Sequence, residues 1–137
     1  MSLATYIGCN IELPINDVDE GSDEFFYIYG YFADELNLLN VKNHQFNTPY
    51  IYEISGNLGI EISLYMNPKR RAKSQKNLMK LFEIMDTYIS NDDFFELYSC
   101  WVGEEARERK GEITLHINNF DIDQIEIPEQ TLVRFVK

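Results

Sequence analysis

The stretch LMKLFEIMDTYI, residues 78–89, decides the fold, because its apolar side chains recur with the period of a helix. These side chains are Leu78, Leu81, Phe82, Met85, Tyr88 and Ile89. A single apolar stripe of this kind is typical of a helix that lays one face on a hydrophobic core. The helix is predicted to end near Ser90 and Asn91. Two starts remain open, since Asn67 with Pro68 offers a cap and a first helical position, and Ser74 offers a later cap.

The segments before this helix predict strands. Residues 4–13 alternate between two faces, which is the period of a half-buried strand. The apolar face carries Ile7, Cys9, Ile11 and Leu13, and the other face carries Tyr6, Asn10 and Glu12. Residues 50–55 and 58–66 predict a hairpin around Gly56 and Asn57, because glycine easily takes the positive φ of a type II′ turn.

The segments after the helix also predict strands. Residues 94–102 and 112–118 form a second predicted hairpin, joined by a charged loop. Ile113, Leu115 and Ile117 are expected to face inward. Residues 131–136 predict a short final strand.

Residues 23–39 fit two structures. Their apolar spacing favours a helix, with a stripe formed by Phe25, Ile28, Tyr29, Phe32, Leu36 and Leu39. Ser22 can cap its first turn, although Gly30 costs about 1 kcal/mol inside a helix. We predict the helix. The alternative, favoured by the many aromatic residues, is a strand over 24–32 followed by a short helix.

These elements predict an α+β fold in one domain, residues 1–137, with two helices packed on a mainly antiparallel sheet of five to six strands. The order is β-α-β-β-α-β-β-β. Its first six elements match the ferredoxin-like split βαβ arrangement, in which both helices lie on one face of the sheet.

The charge is strongly unbalanced, with 23 acids, 12 bases and a net charge of −11. Such a field repels nucleic acid and anionic membranes and attracts cationic partners. We therefore expect a basic protein partner, no direct nucleic acid contact and no membrane contact, and we leave a homodimer open. The sequence also lacks a long apolar run and a leader pattern, so a cytoplasmic location is expected.

Half of the bases fall in one short stretch without acids, namely Lys69, Arg70, Arg71, Lys73, Lys76 and Lys80. A solvated helix surface is the favoured interpretation. The other two are a phosphate contact and electrostatic docking against an acidic surface, either of the same molecule or of a second copy.

No motif predicts an enzyme, a metal site or a cofactor. The acids at 17–24 do not fit the register of a calcium-binding loop. Asp121 and Asp123 are explained by turn chemistry, and neither His44 nor His116 belongs to a catalytic signature. No phosphate-binding glycine loop exists. Cys9 and Cys100 are expected to be buried structural thiols.

The leading functional hypothesis is a non-catalytic acidic binding protein, for example an immunity protein or antitoxin that covers a basic nuclease. The predicted partner-binding residues are Asp17, Asp19, Glu20, Asp23, Glu24, Glu104 and Glu105. The alternative is a small enzyme or ligand-binding domain with an aromatic-lined pocket. Its candidate residues are Glu53, Glu61, Tyr65, Glu96 and His116.

Overall fold

A six-stranded sheet forms the middle layer of the structure, a computed structural model that describes residues 3–12, 27–29, 35–55, 61–63, 65–101 and 103–137. The strands are Leu3–Cys9 (β1), Tyr27–Tyr29 (β2), Tyr50–Ser55 (β3), Phe94–Trp101 (β4), Gly111–His116 (β5) and Thr131–Val136 (β6), and the helices are Glu35–His44 (α1) and Pro68–Tyr88 (α2). The spatial order is β2-β3-β1-β4-β6-β5, with every pair antiparallel except β5 and β6. The predicted α+β fold, with two helices on a mainly antiparallel sheet, is confirmed.

Helix α2 covers one face of the sheet. It begins at the earlier of the two predicted starts, where Asn67 Oδ1 accepts a hydrogen bond from Lys69 N at 2.9 Å. Its buried stripe is Leu78, Leu81, Phe82 and Met85, whereas Tyr88 of the predicted stripe is 41% exposed. The Phe82 ring makes edge contacts with Phe95, Phe120 and Phe135. Aromatic packing thus joins α2 to the sheet and to the segment that follows β5.

Helix α1 lies on the opposite face. Along β1, Ile7 and Cys9 point to the α2 core, and Ala4 and Tyr6 point to a second core. That second core contains Ala4, Tyr6, Val41, Phe46, Ile51, Tyr98, Cys100 and Leu132. Since β1 is buried on both faces, the predicted half-buried strand is wrong for Tyr6. The ferredoxin-like arrangement, with both helices on one face, is likewise not what the structure shows.

The segment 23–39 follows the alternative prediction wherever the structure describes it. Residues 27–29 form β2, which pairs with β3 through Ile28 opposite Ile54, and α1 begins at Glu35. The helix predicted over 23–39 is therefore wrong at 27–29, because strand pairing overrides the helical spacing. The observed order is β-β-α-β-α-β-β-β. Residues 23–26 and 30–34 lie outside the described residues.

The first predicted hairpin is wrong. Strand β3 has β1 on one edge and β2 on the other, so no edge remains for residues 58–66. Ile62 instead forms an isolated bridge with Ile127, with a hydrogen bond from Ile62 N to Ile127 O at 3.0 Å. The tip of the predicted hairpin, residues 56–60, lies outside the described part of the chain.

The second predicted hairpin is also wrong, because β6 lies between β4 and β5. Phe135 of β6 is opposite Phe95 of β4, and Val133 of β6 is opposite Ile113 of β5. The sequence of β6, TLVRFV, has apolar residues on both faces and four buried residues out of six, so it occupies an inner position. The half-exposed β5 lies at the edge, with Ile113 facing the core as predicted.

Candidate functional site

One end of the sheet carries carboxylates from three separate parts of the chain. Here β1 ends, β4 begins and α2 ends. We call this region the acidic end and define it by Glu12, Asp86, Asp92 and Asp93. Lys137 lies beside it, with its Nζ 3.1 Å from Asp86 Oδ1. The acidic end therefore combines four carboxylates with one neighbouring cation.

Backbone geometry holds the acidic end together. Asp93 Oδ1 accepts hydrogen bonds from Phe94 N at 2.8 Å and from Asn10 Nδ2 at 2.9 Å, which ties β4 to the end of β1. Asp92 has φ of 68°, a left-handed conformation that aspartate tolerates better than most residues. Its N–H donates to Lys137 O at 3.1 Å. The chain thus turns sharply between α2 and β4 and leaves Asp92 exposed.

Lys137 also explains why α2 can end here. Its Nζ donates to the carbonyl oxygens of Asp86 and Ile89, both at 2.9 Å. A cation at this position balances the negative end of the helix dipole. Helix α2 has no base of its own in the last turn, so Lys137 supplies the compensating charge.

Two partly exposed rings lie at the same end. Tyr88 occupies the last turn of α2 and is 41% exposed, and Tyr50 begins β3 opposite Cys9 and is 39% exposed. Exposed tyrosines among charged groups are typical of protein-binding surfaces, because the ring supplies contact area and the hydroxyl a hydrogen bond.

The acid-rich part of the predicted site lies outside the described residues. It comprises Asp17, Asp19, Glu20, Asp23 and Glu24. In the chain these residues begin five positions after Glu12, and residues 13–34 contain no lysine or arginine. The acidic end is therefore where the chain enters its most acidic stretch.

The other two predicted residues lie at the opposite end of the sheet. Glu104 is within 3.3 Å of Arg107 and accepts a hydrogen bond from Gln130 Nε2 at 2.8 Å. Glu105 is 1% exposed, so the prediction that it lies on a partner-binding surface is wrong. Sequence alone does not separate two adjacent glutamates. Only the fold reveals that Tyr6, which is 99 residues away, bonds to the second of them.

Glu105 instead organises a buried polar cluster on the α1 face. Its Oε2 accepts a hydrogen bond from the Tyr6 hydroxyl at 3.0 Å, and its Oε1 accepts one from Gly103 N at 2.8 Å. Cys100 Sγ lies 3.8 Å from Oε2. Gln45 Nε2 donates to the Glu105 carbonyl at 3.1 Å, which fastens the loop after α1 to the loop after β4. These contacts give the carboxylate a structural role.

A second buried carboxylate, Glu96, lies on the same face. It accepts hydrogen bonds from Asn47 N and from Arg134 Nη2, both at 3.0 Å. The Arg134 guanidinium also stacks over the Phe94 ring at 4.5 Å. A buried charge needs such partners, because burial without them costs several kcal/mol.

The five residues of the alternative pocket do not come together. Glu53 and Glu96 are buried on the α1 face, whereas Tyr65 is 94% exposed and His116 lies on the exposed side of β5. Burial and the neighbouring Glu129 carboxylate raise the pKa of Glu61, which places Glu61 beside Glu129 instead. The five side chains therefore do not line one pocket together, although Glu53 and Glu96 share a face of the sheet.

The basic stretch forms the first half of α2. Arg71 Nη2 donates to the Asp123 carbonyl at 3.1 Å, and Arg70 is close enough to Glu61 to lower its pKa against the raising effects. Lys69 and Lys73 are exposed. The start of α2 thus docks in part on acid-bearing segments of the same chain, and in part is solvated. The exposure of Lys69 and Lys73 agrees with the favoured surface interpretation.

The remaining candidate residues have local roles. Asp121 Oδ1 accepts a hydrogen bond from Asp123 N at 3.0 Å, which is the predicted turn chemistry. Both cysteines are free and buried, as predicted, and they project to opposite faces of the sheet. Among the described residues, no group of three His, Cys, Asp or Glu is arranged to hold a metal ion. In the same part of the chain, no helix is long and apolar enough to cross a membrane.

Four buried groups make the stability of the fold depend on pH in alkaline solution. Burial raises the pKa of the Cys9 thiol from 9.0 to about 11 and that of Tyr98 to about 12. Burial, together with the Glu105 charge, also raises the pKa of Tyr6 and of Cys100. Each group is neutral in the folded state and ionises more easily when unfolded. Their contribution is therefore complete below about pH 9 and declines as the pH rises from about 9 to about 12 and above.

We expect the urea midpoint of unfolding to fall over that range. Tyr98→Phe is the informative variant, because the Tyr98 hydroxyl is buried with no hydrogen-bond partner among the described residues. It should cost little at pH 7 and should weaken the decline between about pH 10 and pH 12. If the urea midpoint of this variant fell with pH as steeply as that of wild type, Tyr98 would not contribute to the alkaline loss of stability.

Comparisons with protein-family models, curated proteins and solved structures find no match to this chain.

Proposed function

We propose that this chain is a non-catalytic binding protein whose acidic end docks a basic partner protein, in the manner of an immunity protein or antitoxin that covers a basic nuclease. The observation that carries the proposal is the acidic end itself, where Glu12, Asp86, Asp92 and Asp93 lie around the junction of α2, β1 and β4.

The charges of the molecule are separated along α2. Six bases lie between Lys69 and Lys80, whereas the acids Glu83 and Asp86 lie in the last two turns. At the far end the Asp86 carboxylate is paired with Lys137, and Asp92 and Asp93 follow in the chain. A field of this shape orients an approaching cationic surface toward the acidic end and speeds association.

The exposed rings of Tyr50 and Tyr88 supply the second ingredient of a stable interface. Charged rims mainly set the rate and selectivity of association, whereas buried aromatic anchors supply most of the affinity. A nuclease needs a positive surface to hold phosphate, and an inhibitor that places carboxylates and tyrosines there competes directly with its substrate.

The proposal is tested with two variants that change the net charge equally. Glu12→Gln with Asp92→Asn neutralises two exposed acids of the acidic end, and Glu108→Gln with Glu126→Gln neutralises two exposed acids elsewhere. Wild-type protein is used to capture partners from the source cells at low ionic strength, and the captured protein is then purified. Its dissociation constant for each variant is measured by calorimetry at several salt concentrations.

We expect the captured partner to be a basic protein. It should bind wild type and the Glu108/Glu126 variant with equal affinity, and it should bind the Glu12/Asp92 variant about tenfold more weakly. The partner expressed alone should arrest growth, and co-expression of wild type should restore it. Capture of no basic protein, or equal weakening by both variants, would refute the proposal. Neutralising the five acids between Asp17 and Glu24 then tests the contribution of the acid-rich stretch.

A further inference from the structure

We propose that two copies of this chain pair through β5, edge to edge and antiparallel, to form a two-fold symmetric dimer with one continuous sheet. The inference concerns the outer edge of β5 and is independent of the acidic end.

The outer edge of β5 is available for pairing. Strand β5 is last in the sheet order, so among the described residues no strand lies on its far side. Ile117 N donates to Val136 O at 2.9 Å, and Ile113 is opposite Val133. Odd-numbered residues therefore direct their backbone groups to β6, and Glu112, Thr114 and His116 direct theirs outward. The His116 carbonyl accepts a local hydrogen bond from Asn119 N at 3.1 Å.

The sequence of β5 is complementary to itself. Antiparallel pairing centred on Thr114 places Thr114 opposite its own copy, and Glu112 opposite His116 of the second copy. Both side chains are exposed on the α1 side of the sheet, so a carboxylate meets an imidazole twice in the dimer. Arg109 Nη1, which is 2.6 Å from Glu112 Oε1, adds a further cation to each pair.

The opposite face of β5 supports the same register. Ile113 and Leu115 are only half-buried at the sheet edge, although they pack against the α2 core. In this register Ile113 meets Leu115 of the second copy, so their exposed parts are buried together.

Other registers are less favourable. A shift by two residues places Glu112 opposite Thr114 or Asn118 and so loses both Glu112–His116 pairs, and a shift by four in one direction places Glu112 opposite its own copy, which brings two carboxylates together. A shift by one residue sends the side chains of one copy to the wrong face of the sheet. An exposed edge strand without proline or lysine within it is also a natural template for another strand. The edge thus selects one partner, a second copy, in one register.

The first test is Thr114→Pro, which removes the central outward N–H and leaves the hydrogen bonds to β6 intact. Mass measured by light scattering on the whole chain should show a dimer for wild type and for the control Thr114→Val. The proline variant should have a dissociation constant at least about tenfold larger. A monomeric wild type at the highest attainable concentration, or a dimer unaffected by the proline, would overturn the proposal.

The second test exchanges the charges. His116→Glu makes Glu112 face a glutamate, and Glu112→Lys makes His116 face a lysine, so each variant alone should dimerise about tenfold more weakly. Mixed together, the two variants should form a heterodimer of wild-type affinity, because one pair is again Glu112 with His116 and the other joins a glutamate to a lysine. Failure of the mixture to associate would rule out the register.

Amide exchange gives a readout that a dimer through another surface would not produce. The N–H groups of Glu112 and Thr114 should become protected as the protein concentration rises. Those of Ile113 and Leu115, which bond to β6, should be protected at every concentration. Concentration-independent exchange at Thr114 in a dimeric sample would place the interface elsewhere.

Discussion

Replacing Arg134 with methionine is expected to lower the free energy of unfolding by about 3 kcal/mol, the largest effect of any single charged residue on the α1 face. Glu96 is fully buried, and Arg134 is the cation that contacts it, at 3.0 Å. Without the guanidinium, the hydrogen bonds that remain to the carboxylate from the described residues are those of Asn47. The packing over Phe94 is kept in part by the methionine side chain.

The effect is measured by urea unfolding beside Arg107→Met, which breaks an ion pair whose arginine is 70% exposed. That control should cost less than about 1 kcal/mol. The double variant Glu96→Gln with Arg134→Met should be more stable than Arg134→Met alone, because no buried charge is left uncompensated. Equal losses of stability in Arg134→Met and Arg107→Met would contradict this account. Arg134 would then not offset the cost of burying the Glu96 charge.

Replacing Gly8 with alanine is the second substitution expected to have a large effect, again about 3 kcal/mol of lost stability. A Cβ at this position would collide with Thr48 Oγ1 and would lie 2.6 Å from Phe46 Cδ1. The backbone cannot shift to make room, because Gly8 is paired with Ile51 on one side and Glu96 on the other.

Gly111→Ala is the matched control, since nothing lies within 4 Å of its added Cβ, and it should change stability by less than about 0.5 kcal/mol. Thr48→Ala should restore part of the loss in Gly8→Ala, because it removes the first colliding atom. Since Thr48 Oγ1 is buried and makes no hydrogen bond among the described residues, Thr48→Ala alone should cost little. Equal stability of the alanine variants at Gly8 and Gly111 would show that the segment carrying Phe46 and Thr48 moves aside without cost.

Local pattern was enough to predict the second helix and most of the strands. The stripe from Leu78 to Met85 has helical spacing, so α2 was predictable, whereas its start was left open between Asn67 and Ser74 and the structure places it at Pro68. Strands β1, β3 and β6 were also predictable, because alternation and apolar runs are properties of the segment itself.

Strand pairing was not predictable from neighbouring segments. Both predicted hairpins assumed that strands adjacent in sequence pair with each other. The buried sequence of β6 displaces β5 from β4, and the pairing of β2 with β3 displaces residues 58–66. These outcomes depend on how completely each strand must be buried, which only the assembled sheet decides.

The candidate site was predictable in character but not in position. Net charge indicated a cationic partner, and the acid-rich stretch near Glu20 lies outside the described residues. The acidic end itself is assembled from Glu12, Asp86 and Asp92, which are far apart in the chain. In contrast, Glu104 and Glu105 are adjacent in sequence but engage in internal contacts. A cluster that folding assembles from distant parts of the chain cannot be inferred from the spacing of its residues in the sequence.

The inner position of β6 also affects the order of events during synthesis. Residues 94–101 emerge from the ribosome able to pair with β1, but β5 has no strand to join until residues 131–136 have been made. The nascent chain can therefore hold four of the six strands in a sheet, with one edge of β4 uncovered and β5 unpaired. Insertion of β6 between β4 and β5 is therefore the last step in assembling the sheet. A cellular factor that covers the open edge of β4 would act before that step.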